Sequence, residues 1–474
     1  MSEKETRGME QTSAKVSSAE AKKKKAKYTM AKIIVILCAV LCVVLTVFEL
    51  GVTYRTMKAV EVDGTEYSVA EYNWLYTNSV YEIYNSYYMT YGEMASYIFN
   101  PSGNLSEMVY NQETGETWAE YVKEYTDKTI VEMTALLRAG EEAGHVLDEE
   151  FYERCDEEWN ALATTAASNG YSVSDYAEMS YGRGVNEKVF REMYERYYYA
   201  FTYAESVSDS FEFNSEEKDA YYEENAEDFD TVTYNYYFVS SSAKEGEDAD
   251  AIKAEAKATA EAVLSGEKEV EFTEAGYALK AATNSVYADW VFDEARTAGD
   301  KEMFEGETGY YVVEFVEEND LHHNMVNVRH ILVTAADSTE EAKAEALEKA
   351  EKYLAEWKEL GETEENFATV AGKYSEDSSA EYGGLIENIY KGRTVEGFED
   401  WCFDPARKTG DTDIVYSQYG YHVMYFCGEG AEYYDYIVEA AMRNENINTY
   451  LDGIVEGLEA SDLFGAKYVG KHFG

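Results

Sequence analysis

From residue 68 onward, apolar side chains recur every three to four positions. Tyr72, Leu75, Tyr76, Ile83 and Tyr84 fall on one stripe, as an amphipathic helix requires. Ser68 and Glu71 form the S-x-x-E box that starts such a helix, and the Asp63-Gly64 pair just upstream predicts a tight turn between two short strands. The same spacing predicts helices over 117–143, 148–168, 172–180, 186–204 and 215–225. Region 60–230 is therefore mainly helical and rich in aromatic residues, with Pro101 its single proline. The period changes at Thr231. "VTYNYYFVSS" reads as a strand, followed by the alanine-rich helix "AIKAEAKATAEAVLSG", the segment "EVEFTEAGYAL", a helix end at Trp290 and the strand "GYYVVEF". A second round starts at Asn327 with the strand "VRHILVTA". Two helices follow, then the loop "EDSSAEYGGLIENIYKGRTVE", the helix "GFEDWCFDPARKTG" and the strand "GYHVMYF". A helical stretch over 432–460 and a short tail close the chain.

The two rounds are a repeat. "DWVFDEARTAGDKEMFEGETGYYVVEF" (Asp289 to Phe315) aligns without a gap with "DWCFDPARKTGDTDIVYSQYGYHVMYF" (Asp400 to Phe426), at a constant offset of 111. His422 in the second copy stands where the first has Tyr311, and aligning "YYFVSS" with "HILVTA" puts Tyr236 opposite His330. Aligning Phe272 with Phe367 leaves the first copy about 16 residues short, where the second has the loop around Asp377. The expected organisation is α+β: a helical region over 60–230, tandem α/β modules at 231–320 and 326–428, and a C-terminal helix and tail over 432–474.

An uncharged apolar run, "IIVILCAVLCVVLTVF", precedes all of this. With its flanks it is expected to cross a bilayer as a signal anchor over 33–52. Lysines crowd before it and Glu49 follows it, so residues 1–32 form a basic cytoplasmic tail and the bulk of the chain is extracytoplasmic. No small-x-small cleavage site follows the run, which favours a retained anchor over a cleaved signal peptide. The chain's 474 residues allow about two to four domains. A formal net charge of −54 argues against nucleic acid as a partner, because its phosphates would be repelled. Of five cysteines, Cys38 and Cys42 lie in the apolar run, while Cys155, Cys402 and Cys427 show no metal-type spacing. A Cys402–Cys427 disulfide and two buried thiols are the alternatives, and the apolar neighbours favour thiols.

The second module resembles the parvulin family of peptidyl-prolyl cis/trans isomerases. The resemblance rests on "VRHILV" with His330, "YSEDSSAEYGG" with Asp377, "GFEDWCF" with Phe398 and "SQYGYHVMYF" with His422, in the family's order across about 100 residues. It implies a four-stranded antiparallel sheet whose central strands set His330 and His422 side by side. It further implies catalytic roles for His330, Asp377, Ser417 and His422, and a proline pocket of Ile386, Thr394 and Phe398. Neither a cofactor nor a metal is implied. For either histidine alone the bland reading is a satisfied core residue; two at matching positions favour a site. The family's "GGDLG"-like stretch is here "GGLIE", and Thr394 replaces a common methionine. The first module lacks both histidines and the loop, so it is expected to be degenerate.

The whole chain is similar to PrsA-like and SurA-like foldases. The resemblance implies a membrane-anchored protein that binds unfolded, newly secreted polypeptides and isomerises their X-Pro bonds. The alternative is a holdase chaperone with little or no isomerase activity. A structural or adhesive role is a third class, against which the paired histidines count.

Overall fold

The computed structural model describes residues 32, 34–36, 51–244 and 246–473. The apolar run assigned above to a membrane anchor lies almost wholly outside the described residues. Among those described, no helix is long and apolar enough to cross a membrane.

The chain divides into two compact units, residues 1–211 with 445–474, and residues 212–444. The first unit opens with strands β1 (Lys58–Val62) and β2 (Thr65–Ser68), joined at Asp63 and Gly64. Both turn residues have positive φ, 45° and 84°, the conformation that a two-residue hairpin of matching twist demands. Ser68 then caps α1 (Val69–Tyr91) with the reciprocal Ser68–Glu71 bonds expected of the box. The helices α2 (Trp118–Ala143), α3 (Glu149–Ser168), α4 (Val173–Tyr181) and α5 (Glu187–Asp209) complete the helical layer. Tyrosines fill much of its core, with their hydroxyls bonded: Tyr67 Oη lies 2.7 Å from Thr134 Oγ1, and Tyr72 Oη donates to Asp127 over 2.8 Å.

The second unit begins with α6 (Ser215–Asn225) and holds two sheets of identical design. The first contains β3 (Thr231–Ser240), β4 (Thr273–Leu279), β5 (Lys301–Glu305) and β6 (Gly309–Glu318), in the order β4-β3-β6-β5. The second contains β7 (Asn324–Val333), β8 (Leu385–Ile389), β9 (Thr412–Ser417) and β10 (Gly420–Glu432), in the order β8-β7-β10-β9. Every neighbouring pair is antiparallel. In each sheet the first and last strands of the module lie at the centre. The helix α7 (Ala249–Leu264) packs on the first sheet; α8 (Glu340–Leu360) and α9 (Glu364–Tyr374) pack on one face of the second. The short helix α10 (Glu396–Cys402) covers the other face. The C-terminal helix α11 (Tyr433–Val455) follows β10 directly.

Three features differ from the sequence reading. The helical region ends at Phe211 rather than at 230, because α6 belongs with the modules: Lys218 is buried against Asp435 and Glu439, and Tyr222 packs on Phe229 and Tyr434. The segment read as a short tail is structured, since strand Ala460–Asp462 pairs with β1. Finally, Phe272 does not occupy the place of Phe367. Eight residues join Leu264 to Thr273 in the first module, whereas 24 separate Leu360 from Leu385 in the second. The missing segment thus includes the whole of α9, the helix that carries Phe367, as well as the loop. Phe272 instead packs on Tyr237 just before β4.

Candidate functional site

Strand alternation builds the site. Along β7, Ile331 and Val333 face α8 and α9, whereas Val326, Val328 and His330 face the α10 side. Along β10, Val423 and Tyr425 take the first face, and His422, Met424 and Phe426 the second. His330 stands opposite Met424, and His422 opposite Leu332. The histidines are therefore diagonal neighbours on one face, within reach of each other's rings. Their Nδ1 atoms are 3.1 Å apart, and the rings lie 5.3 Å apart, inclined by 17°. Phe398 from α10 meets both rings edge-on, at 5.4 and 5.3 Å. Ile386, on β8, joins the apolar cluster around Phe398. Thr394 precedes α10 and bonds none of these side chains; its Oγ1 is buried with no partner among the described residues.

The loop between α9 and β8 brings in the carboxylate. It is laced to β7: Leu332 N–H donates to Ser375 Oγ (3.1 Å), Glu376 N–H to the Leu332 carbonyl (3.0 Å), and His330 N–H to the Gly384 carbonyl (2.8 Å). Gly384, at φ 73°, sits so close to β7 that a Cβ there would come 2.3 Å from the His330 carbonyl oxygen. Asp377 caps the turn Ser378–Tyr382 by accepting from Ser379 N–H at 2.9 Å. Its Oδ1 then lies 3.2 Å from His330 Nε2, and Ser379 Oγ is equally close to that nitrogen. At the other end, Ser417 Oγ is 2.8 Å from His422 Nε2 and accepts from Tyr419 N–H.

One proton assignment satisfies every partner with both rings neutral. The Asp377 carboxylate can only accept, so His330 carries its proton on Nε2. His330 Nδ1 then accepts from His422 Nδ1–H. His422 Nε2 accepts the Ser417 hydroxyl proton, which Ser417 can spare because its oxygen already takes the Tyr419 amide. The hydrogen bond from His330 is the largest of the effects that hold the Asp377 carboxyl well below the usual carboxylate range. Burial, aided by the neighbouring His330, lowers His422 to about 4. Both histidines, Phe398 and Ser417 are buried, while Asp377 keeps a third of its side chain in solvent.

The structure thus brings His330, His422, Asp377, Ser417 and Phe398 into one connected cluster. Sequence reasoning did not single out Ser379 or Ser375. The signal for the first was present: an Asp followed two residues later by Ser fits an Asx-turn, in which the carboxylate accepts from the backbone N–H two residues on. Cys402 is buried and free, Cys427 is half-buried and free, and burial pushes both thiols up to about 12. No group of three metal-ligating side chains occurs among the described residues.

In the first module, Tyr236 stands opposite Val313, two residues beyond Tyr311, which is the register of His330 with Met424. Tyr236 and Tyr311 consequently occupy the histidine positions of the first sheet. There they join an aromatic cluster with Tyr234, Tyr287 and Phe304.

Comparison with known proteins gives the second module its family. Residues 310–427 match the PPIC-type PPIASE domain, a span that begins in β6 and so takes in the linker between the modules. "Foldase protein PrsA 3" of Bacillus cereus is 40% identical over 81 residues, which is 16% of this chain and 28% of that protein. The match therefore spans little more than a quarter of the curated relative. Among solved structures, PrsA from Bacillus subtilis aligns over 75% of this chain and 91% of its own at 16% identity, with a TM-score of 0.27. PrsA from Bacillus anthracis aligns over 29% and 59% at 21% identity, with a TM-score of 0.19. The second α/β module of this chain is a parvulin domain of the PPIC type.

Proposed function

We propose that this chain is a membrane-anchored extracytoplasmic foldase whose second module catalyses cis/trans isomerisation of X-Pro bonds in unfolded secreted polypeptides. The observation that carries the reading is the hydrogen-bonded chain Asp377–His330–His422–Ser417 beneath Phe398, buried but for Asp377, within a domain of the PPIC type. The chemistry asked of it is modest. Rotation about an X-Pro bond meets a barrier of about 18–20 kcal/mol from amide resonance, and no bond is broken. The planar amide owes that barrier to a charge-separated resonance form, so a dry pocket favours the twisted amide over the planar one. Phe398 and Ile386 supply apolar wall. The hydrogen-bonded histidine pair supplies a fixed polar floor whose atoms need no reorganisation as the amide twists.

The Tyr-for-His replacements and the loss of the Asp377 loop support a first module that holds rather than catalyses. The lysine-rich residues 1–32 before the apolar run support an anchor with the bulk of the chain outside. The test is prolyl isomerisation of a short X-Pro peptide by the full chain, by His330→Ala and by His422→Ala. Loss of rate in both variants is expected; equal rates in all three leave only the holdase reading. Detergent-dependent release of the full chain from membranes, set against free solubility of a chain starting at residue 53, tests the anchor.

A further inference from the structure

The loop from Tyr390 to Thr394 joins β8 to α10 and so leads to Phe398, which lies against both histidine rings. Groups from outside the second sheet hold this loop. Tyr390 stacks on Tyr433 of α11, with centroids 4.4 Å apart and 19° between planes. Lys391 N–H donates to Nε2 of His323 in the linker at 3.3 Å. Gly392 N–H donates to the Glu399 carboxylate at 2.7 Å, which ties the loop to the residue after Phe398. Over Gly392 lies the ring of Tyr277, from β4 of the first module. A Cβ at position 392 would come 2.4 Å from Tyr277 Cγ, and Gly392 has φ 86°, so glycine is required twice over.

Tyr277 is unusual in its own strand. Its φ is 51°, a left-handed conformation that non-glycine residues rarely take. It sits where the β3–β4 register slips, a bulge, and bulges re-aim side chains out of the sheet. Its N–H is 3.4 Å from Thr233 Oγ1, which anchors the distortion.

We infer that Tyr277 is a positioning residue for the second module: the first module, having lost its own site, holds the loop that carries Thr394 and leads to Phe398. This rests on the prolyl isomerase reading above. The Tyr277 atoms that lie against Gly392 are Cβ, Cγ and Cδ2, which phenylalanine shares, so phenylalanine should replace it. Holding a wall of the pocket affects how substrate is gripped in both ground and transition states, and a loss of uniform binding appears in KM.

The experiment uses the full chain in detergent, with a tetrapeptide containing an Ala–Pro bond as probe, and compares wild type, Tyr277→Ala and Tyr277→Phe. Tyr277→Ala is expected to raise KM about fivefold with kcat within about twofold, and Tyr277→Phe to stay within about twofold of wild type in both. Amide exchange over residues 390–396, read by mass spectrometry, is expected to quicken in Tyr277→Ala alone. An active wild type with Tyr277→Ala unchanged in KM overturns this inference and leaves the catalytic reading intact. So does an equal fall in kcat for both variants, which would indicate general damage. A wild type without isomerase activity overturns the catalytic reading and this inference with it.

Discussion

Acid should destabilise the second module through His422. The side chain is 4% exposed, and burial, with His330 beside it, brings its pKa from 6.5 to about 4, partly opposed by Asp377. The unfolded chain takes up this proton near pH 6.5, whereas the folded chain resists it down to about 4. Between those values the unfolded state binds more protons, so stability falls as pH is lowered through the window; above 6.5 the group contributes no pH dependence. The gap corresponds to about 3 kcal/mol when the window has been fully crossed. Asp377 acts in the same direction but at lower pH. Its depressed carboxyl adds stability that is present above the usual carboxylate range and lost only below it, so it leaves the His422 window clear. His472, also lowered to about 4 by burial, titrates in the same window but in the other unit, and cancels in a comparison of variants. The assay is urea unfolding of the full chain and of His422→Asn at pH 7 and pH 4.5, followed by tryptophan fluorescence, since Trp357 and Trp401 both lie in the module's cores. The wild type should lose about 2 kcal/mol more than the variant between the two pH values. An equal loss in both would refute the argument that burial keeps His422 neutral.

Three further outcomes are expected. Ser417→Ala removes the hydroxyl that His422 Nε2 accepts from and leaves a buried ring nitrogen without its partner; isomerase kcat/KM should fall about tenfold, read in the peptide assay, with the fold intact by circular dichroism. Gly384→Ala forces a Cβ against the His330 carbonyl at a left-handed position and should cost about 2–4 kcal/mol in urea unfolding, together with loss of activity as the Asp377 loop lifts from β7. Lys218→Met strips the buried cation from between Asp435 and Glu439, leaving two like charges one helical turn apart, and should cost about 2 kcal/mol in the same measurement, with peptide isomerisation unchanged.

Much of the module was legible because strands have a period of two. Once "VRHILV" and "GYHVMYF" are strands, His330 shares a face with Val328, and His422 with Met424 and Phe426; the Asp-Trp-x-Phe-Asp repeat fixes the modules' order. The helix start at Ser68 was equally readable, because an S-x-x-E box is a local contact between residues three apart. Ser375 was hidden among several small polar loop residues, and of Ser379 only the turn it makes with Asp377 could be read locally. Their roles depend on where β7 runs beside the loop, which local pattern does not encode. The gap in the first module was sized well but placed too late in the chain, since a single phenylalanine can serve a helix in one copy and a strand entry in the other.

The sequence by itself determined the elements, the repeat and the residue types of the site, because each follows from spacing along the chain. Tertiary structure alone decided what depends on separations of tens to hundreds of residues. It set the Nδ1–Nδ1 contact between histidines 92 positions apart and placed Asp377 against His330 Nε2. It returned Ala460–Asp462 to the edge of β1 and laid Tyr277 over Gly392. These contacts turn on which backbone passes beside which, and the hydrophobic pattern constrains a face without naming its neighbour.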